Sequence, residues 1–204
     1  MSEVQTTLFP IGVPPELPAG FRYCDQAVSL ETEDHLLAQL ATLPFKEFQF
    51  RGFEGKRRVV SFGWRYDFND HEVLPADPIP SFLLEVYRMV EATSGFILRD
   101  LQQVLVSEYA PGAPIGWHKD RPVFGDVMGL SLASSCSFRL RKPLTNGQWQ
   151  RAAVPLAPRS AYFLEGPVRW EWEHSIPPVN ALRYKPAEER RRSAYCTIEY
   201  CTVD

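Results

Sequence analysis

Residues 126–164 read DVMGLSLASSCSFRLRKPLTNGQWQRAAVPLAPRSAYFL. Four runs stand out in it: DVMGLSLA, CSFRLRK, QWQRAAVPL and SAYFL. Each has the length and apolar content of a strand and is bounded by turn formers. Asn146-Gly147, between the second and third, is a type I′ hairpin signal. The pattern continues outward: LQQVLVSEY (101–109) precedes the stretch, and RWEWEH (169–174) and RRSAYCTIEYCTV (191–203) follow it. About seven or eight strands with short turns and no helix between them predict a mainly β architecture, an antiparallel sandwich or barrel.

The N-terminal half carries helices. SLETEDHLLAQLATLPF has Ser29 or Thr32 as cap, acids in its first turn, a stripe of Leu36, Leu37, Leu40 and Leu43, and Pro44 as its stop. His35 falls in this helix and reads as a surface or core-edge residue. DPIPSFLLEVYRMVEATSG has Pro80 in its first turn, a buried face of Phe82, Leu83, Val86, Tyr87 and Val90, and Gly95 at its end. Residues 1–20 read as a Pro-rich arm. With 204 residues, no repeat and no internal boundary, the whole chain is expected to be a single domain.

Composition excludes some classes. A formal charge of −3 rules out a globally basic nucleic-acid binder, though not a local basic patch. One such patch is present: KEFQFRGFEGKRRVVSFGWR (46–65) has six basic and two acidic residues. Four cysteines without a Cys-x-x-Cys pair, and no secretory signal, point to reduced thiols in a cytoplasmic protein. No apolar run has the length to span a bilayer, and no obligate protein partner is evident.

The chemistry is concentrated in EYAPGAPIGWHKD (108–120). In an extended segment His118 and Asp120 point the same way, towards one ion, with Lys119 facing away. A third ligand must come from elsewhere, and His174 is the leading choice, since a jelly roll brings an early and a late strand together at one mouth. Two histidines and one carboxylate leave positions open, as in non-haem Fe(II) oxygenases; zinc sites more often use other ligand sets. His174 also admits a plainer reading, an imidazole packed between tryptophans. On the last strand, an arginine aimed into the barrel would need an anion such as a dicarboxylate. The plainer alternative is a surface charge run with Glu188 and Glu189.

Taken together, Tyr109 with GWHKD, then PRSAYFLEGPVRWEWEHSIPP, then Arg-x-Ser on the last strand resemble the AlkB family of Fe(II)/2-oxoglutarate dioxygenases. The resemblance covers most of the chain from LPAGFRY onward. It implies a double-stranded β-helix, a jelly roll with flanking N-terminal helices, and Fe(II), 2-oxoglutarate and O2 as cofactors. It places the iron ligands on His118, Asp120 and His174. It places the cosubstrate on Tyr109, Arg191 and Ser193, with Ser107 where the family often has Asn. Thr197 stands where the family usually has a second arginine, so one carboxylate of 2-oxoglutarate would be held more weakly, or Arg192 or Arg183 would compensate. Residues about 45–70 look like the family's nucleotide-recognition lid, with Trp64 and Tyr66 to stack a flipped base and Arg58, with Lys56 and Arg57, to hold phosphates. Phe62, Trp64 and Tyr66 also alternate as a half-buried core strand would. The implied activity is oxidative demethylation of alkylated DNA or RNA, releasing succinate, CO2 and formaldehyde. The alternatives are the same chemistry on a protein or small molecule, or a non-catalytic binding module on this fold.

Overall fold

The computed structural model describes residues 17–50, 53–178 and 195–203. Strand β1 (Phe21–Cys24) is followed by helix α1 (Leu30–Leu40), a hairpin of β2 (Lys46–Phe50) and β3 (Phe53–Phe62), a second hairpin of β4 (Trp64–Asp67) and β5 (Glu72–Pro75), and helix α2 (Ser81–Ser94). Then come β6 (Gln103–Tyr109), β7 (Ile115–His118), β8 (Phe124–Leu132), β9 (Cys136–Pro143), β10 (Trp149–Leu156), β11 (Ala161–Leu164), α3 (Gly166–Glu171), β12 (Glu173–Ile176) and β13 (Tyr195–Val203).

The strands form a seven-stranded sheet ordered β1-β11-β8-β13-β6-β3-β2 and a four-stranded sheet ordered β10-β9-β12-β7. Their pairings are antiparallel throughout. This is the jelly roll. Alternation along the strands sorts the large sheet into two faces. On β13, Cys196, Ile198 and Tyr200 join the core beneath α1 and α2, with Leu36, Leu83, Val86 and Val90. The other face meets the small sheet, where Tyr109, Phe124, Tyr162 and Cys201 pack with Phe138, Leu140 and Ile176. No helix among the described residues is long and apolar enough to cross a membrane.

Both N-terminal helices stand where the caps put them. The Ser29 hydroxyl accepts from the Thr32 amide at 3.0 Å, and α2 ends at Gly95, whose N–H donates to Glu91 O at 2.8 Å. Pro80 is the N-cap of α2 rather than a first-turn residue. His35 is exposed, as its place on α1 predicts. Glu33 is not a solvent-facing first-turn acid: it is buried, accepts from the Ala133 amide at 2.9 Å and pairs with Arg159 at 3.1 Å, tying α1 to the loops of the large sheet.

Two expectations are corrected. RWEWEH is not a strand: residues 166–171 are helical, because Pro167 in the first turn pre-sets the helical φ, and burial of Val168, Arg169 and Trp172 follows a helical period. The strand begins only at Glu173, so His174 lies near its start. The 145–147 turn makes a hairpin, but not of type I′. Only Gly147 has positive φ (79°), and its N–H closes on Leu144 O, as in a three-residue loop with a bulge. Within residues 45–70, β3 pairs with β6 and so extends the large sheet. Residues 1–16 of the Pro-rich arm lie outside the described residues.

Candidate active site

His118 ends β7 and faces His174 of β12 in direct register; Asp120 follows two residues beyond the strand. The Asp120 carboxylate lies 3.7 Å from His118 Nε2 and 3.5 Å from His174 Nε2, and the three groups each offer a donor atom within 4.8 Å of the others. These separations exceed a hydrogen bond and leave room for a shared ion with bonds of about 2 Å. His118 Nδ1 sits 2.9 Å from Gly116 O, so the proton belongs on Nδ1 and Nε2 keeps its lone pair. The His174 ring stacks on Phe138 (5.2 Å, 21°).

The electrostatics suit a cation. Burial pushes the His174 imidazolium down to about 4, against the pull of Asp120, so the ring is neutral at pH 7. Burial alone would raise the Asp120 acid, but His174, His118, Arg169 and Arg57 outweigh it and hold the carboxyl below its ordinary range. Side-chain exposure falls from 38% at His118 through 23% at Asp120 to 10% at His174. The centre is therefore reached from the His118 side.

Arg169 fixes the loop behind Asp120. From α3 it donates Nε to Gly125 O at 2.5 Å and Nη2 to the carbonyls of Arg121 (3.0 Å) and Phe124. The guanidinium is 3% exposed. The alternating letters around it read as a strand, and nothing in them marks this arginine as a clamp.

Across the cavity, the large sheet presents polar groups. Ser107, Thr197 and Ser131 stand side by side on β6, β13 and β8. The Tyr109 phenol lies close to the Ser107 and Thr197 hydroxyls, which together with Arg57 counter the rise that burial gives it. Ser107 Oγ, Ser131 Oγ and Thr197 Oγ1 are buried without a hydrogen-bond partner among the described residues. A row of orphaned hydroxyls fits an anionic ligand that supplies acceptors. Next along β13, Glu199 accepts from Tyr162 Oη at 3.1 Å. Tyr162 reaches it by crossing β8 at Gly129, where an added Cβ would lie 2.1 Å from the ring. Burial, with Asp120 adding to it, pushes Glu199 up to about 7.

Of the residues expected at the cosubstrate, Tyr109 and Ser107 line this cavity, while Arg183, Arg191, Arg192 and Ser193 lie outside the described residues. Of those expected at the substrate, Arg58 is turned away. It stands opposite Glu108 and pairs with it, Nε to Oε2 at 2.7 Å. Its neighbour Arg57 stands opposite Tyr109 instead, and its charge acts on Asp120, His174 and Glu199. Trp64 is half-buried and marks the start of β4. Tyr66 is half-buried too, with Arg121 over its ring at 4.9 Å and Phe68 edge-on at 5.0 Å. Phe68 meets Phe48 at 5.4 Å, and Arg57 covers Phe48 at 3.9 Å. A chain of aromatic and guanidinium contacts thus runs from Arg57 to Arg121, the residue after Asp120. Phe48, Phe68 and Arg121 carry no sequence signal that separates them from core or loop residues.

Residues 20–194 match the family model of the 2OG-Fe(II) oxygenase superfamily. The chain belongs to that superfamily. Iron(II), 2-oxoglutarate and O2 are the cofactors this membership carries, and the His-Asp-His cluster fits the iron. Within the superfamily the chain is similar to AlkB-homologue proteins. It is 28% identical over 168 residues to mouse tRNA (carboxymethyluridine(34)-5-O)-methyltransferase ALKBH8 (79% of this chain, 25% of the other), and 26% identical to zebrafish probable RNA/DNA demethylase ALKBH6 (73% and 60%). An uncharacterized protein, L905, of Acanthamoeba polyphaga mimivirus is 28% identical over 60% of this chain and 59% of its own. The chain spans between a quarter and three fifths of the length of these curated relatives. Its fold superposes on OsALKBH1 with a TM-score of 0.69 at 13% identity (91% of this chain, 98% of the other). For a Pseudomonas putida prolyl-4-hydroxylase the TM-score is 0.52 at 13% identity (91% and 93%).

Proposed function

We propose that this oxygenase removes alkyl groups from nitrogen atoms of nucleic-acid bases, with His118, Asp120 and His174 holding iron(II). The observation that carries the substrate class is the aromatic and cationic rim, Arg57–Phe48–Phe68–Tyr66–Arg121, beside the ligand cluster. Rings suit stacking on a displaced base, and guanidiniums suit the phosphates that flank it. ALKBH6 of zebrafish is named a probable RNA/DNA demethylase, which agrees with the reading.

The iron centre, when loaded, supplies the oxidation of an unactivated C–H bond, coupled to conversion of 2-oxoglutarate and O2 into succinate and CO2. The chain's own residues do the rest. Tyr109, Ser107, Thr197 and Ser131 offer hydroxyls to the cosubstrate, with Arg191, Ser193 and Arg192 proposed to complete its site. His118 is kept in the ligating tautomer by Gly116 O. Arg169 holds the loop after Asp120 in place through three carbonyls. Trp64 and Tyr66 are proposed to meet the base, with Arg57 rather than Arg58 on the side of the centre. Hydroxylation of an N-methyl carbon leaves a carbinolamine that breaks down to the N–H base and formaldehyde. Four free thiols agree with a cytoplasmic setting, and the matched span 20–194 agrees with one catalytic domain.

The test is formaldehyde release from a panel of N-methylated DNA and RNA oligonucleotides, with and without 2-oxoglutarate. Formaldehyde that depends on 2-oxoglutarate supports the reading. Succinate without formaldehyde moves the substrate to a protein or small molecule. Loss of the visible charge-transfer band on anaerobic titration with Fe(II) and 2-oxoglutarate would mark a binding module.

A further inference from the structure

The small sheet has two faces, and the metal centre uses one. Side chains alternate along a strand, so the residues flanking the two histidines point outward. Trp117 does so on β7, Arg139 and Arg141 on β9, and Trp149 and Arg151 on β10. Arg141 lies between two indoles, 4.4 Å from the Trp117 ring centroid and 4.2 Å from that of Trp149. Arg139 approaches the same Trp117 ring at 5.1 Å. Both are anchored on β12: Arg141 Nε donates to Glu173 Oε2 at 2.6 Å, and Arg139 Nε to Ser175 Oγ at 3.0 Å. Arg151 is exposed and stands opposite Arg141 in register.

This arrangement leaves an open depression. A cavity of about 380 Å³ opens on the face, walled by Trp117, Arg139 and Arg151. Its floor is Ala152, Ala153 and Leu140. Ala153 pairs with Arg139 across the ladder, so a methyl group leaves depth where a longer side chain would fill it. Trp149 stays 37% exposed at the edge of the sheet. Among the described residues, three guanidiniums, two indoles and the Glu173 carboxylate thus share one surface of a chain whose formal charge is −3. The arginines on β9 are already held in place, so little side-chain entropy remains to be lost on binding.

We propose that this outer face binds single-stranded nucleic acid, with phosphates at Arg139 and Arg151 and unstacked bases against Trp117 and Trp149. The combination of an open apolar depression, a partly exposed indole and flanking guanidiniums matches a strand whose bases are free to stack. An acidic peptide offers anions but no planar group for the depression. A duplex keeps its bases stacked and offers only phosphates. The surface lies on the opposite side of the sheet from the ligand cluster, and it binds unmodified strands, so it holds whether or not demethylation is the reaction.

The experiment uses the full chain and fluorescein-labelled oligothymidylate and oligouridylate, followed by anisotropy between about 50 and 200 mM salt. The double variant Trp149→Ala, Arg151→Ala changes two surface positions and is expected to melt like the parent. Its affinity for either oligonucleotide falls about tenfold. The slope of log K against log salt becomes shallower by about 0.7, the share of one arginine on a single strand. Trp149→Phe recovers most of the affinity, and Arg151→Lys restores the slope. Unchanged affinity and slope in the double variant overturn the proposal. So does parental protein that ignores both oligonucleotides, or that is displaced from them as well by polyglutamate as by unlabelled oligonucleotide, which would assign the face to an acidic protein.

Discussion

The two walls of the cavity differ in how far they are satisfied without a ligand. On the small sheet, each ligand side chain already has a setting: His118 leans on Gly116 O, His174 on the Phe138 ring, and Asp120 between two imidazoles. On the large sheet, three neighbouring hydroxyls are buried with no partner among the described residues, and a glutamate is charged only at a cost. The first wall is organised before it binds; the second gives up stability until it does. Buried polar groups left unpaired cost about 1–3 kcal/mol each, so the difference is large enough to measure.

The sharpest break in this contrast is Asp120→Ala. It should abolish both the anaerobic charge-transfer band and product formation while the apo fold survives, because the remaining imidazoles keep their own settings. Band and turnover at the parental level in that variant would remove the centre as drawn. Next in size is Arg169→Ala, which strands the carbonyls of Arg121, Phe124 and Gly125 and should lower stability by about 3 kcal/mol in urea denaturation. Arg169→Lys should recover only part, since an ammonium lacks the planar fork.

Glu199→Gln tests the other wall. The parental acid titrates at about 7 when folded against an ordinary 4.5. The folded state then holds the proton more tightly than the unfolded chain does, so apo stability falls as pH rises from about 4.5 to 7 and stays low above. The Gln variant keeps an acceptor for Tyr162 and removes the charge. It should match the parent near pH 4 and exceed it by about 3 kcal/mol at pH 8, seen as a flattened Tm against pH. The smallest effect is expected from Thr197→Val. Removing an orphaned hydroxyl should leave the apo protein equal or more stable by about 1 kcal/mol. The extra Tm conferred by 2-oxoglutarate should shrink at the same time. A loss of apo stability would mean that the hydroxyl has a partner after all.

Much of this was legible in the letters. The strand runs, both N-terminal helices with their caps, and the His-x-Asp pair all follow from local period and from the chemistry of side chains two apart. RWEWEH misled because alternating letters outvoted one proline, and the helix hid Arg169 with it. The hydroxyl row was half visible: Ser107 and Thr197 stood out as departures from a family pattern, but Ser131 is an unremarked serine until β8 is laid beside β13.

By itself the sequence determined the kind of structure and the residues able to hold iron, because strand period, caps and ligand chemistry are local properties. Tertiary structure alone decided which side of each strand looks into the cavity. Arg57 and Arg58 are identical letters in adjacent places, and only the pairing of β3 with β6 turns the first towards Tyr109 and the second towards Glu108. The same rule separates His118 from Trp117. A strand specifies that neighbours face opposite ways, but which way is inward depends on partners far along the chain.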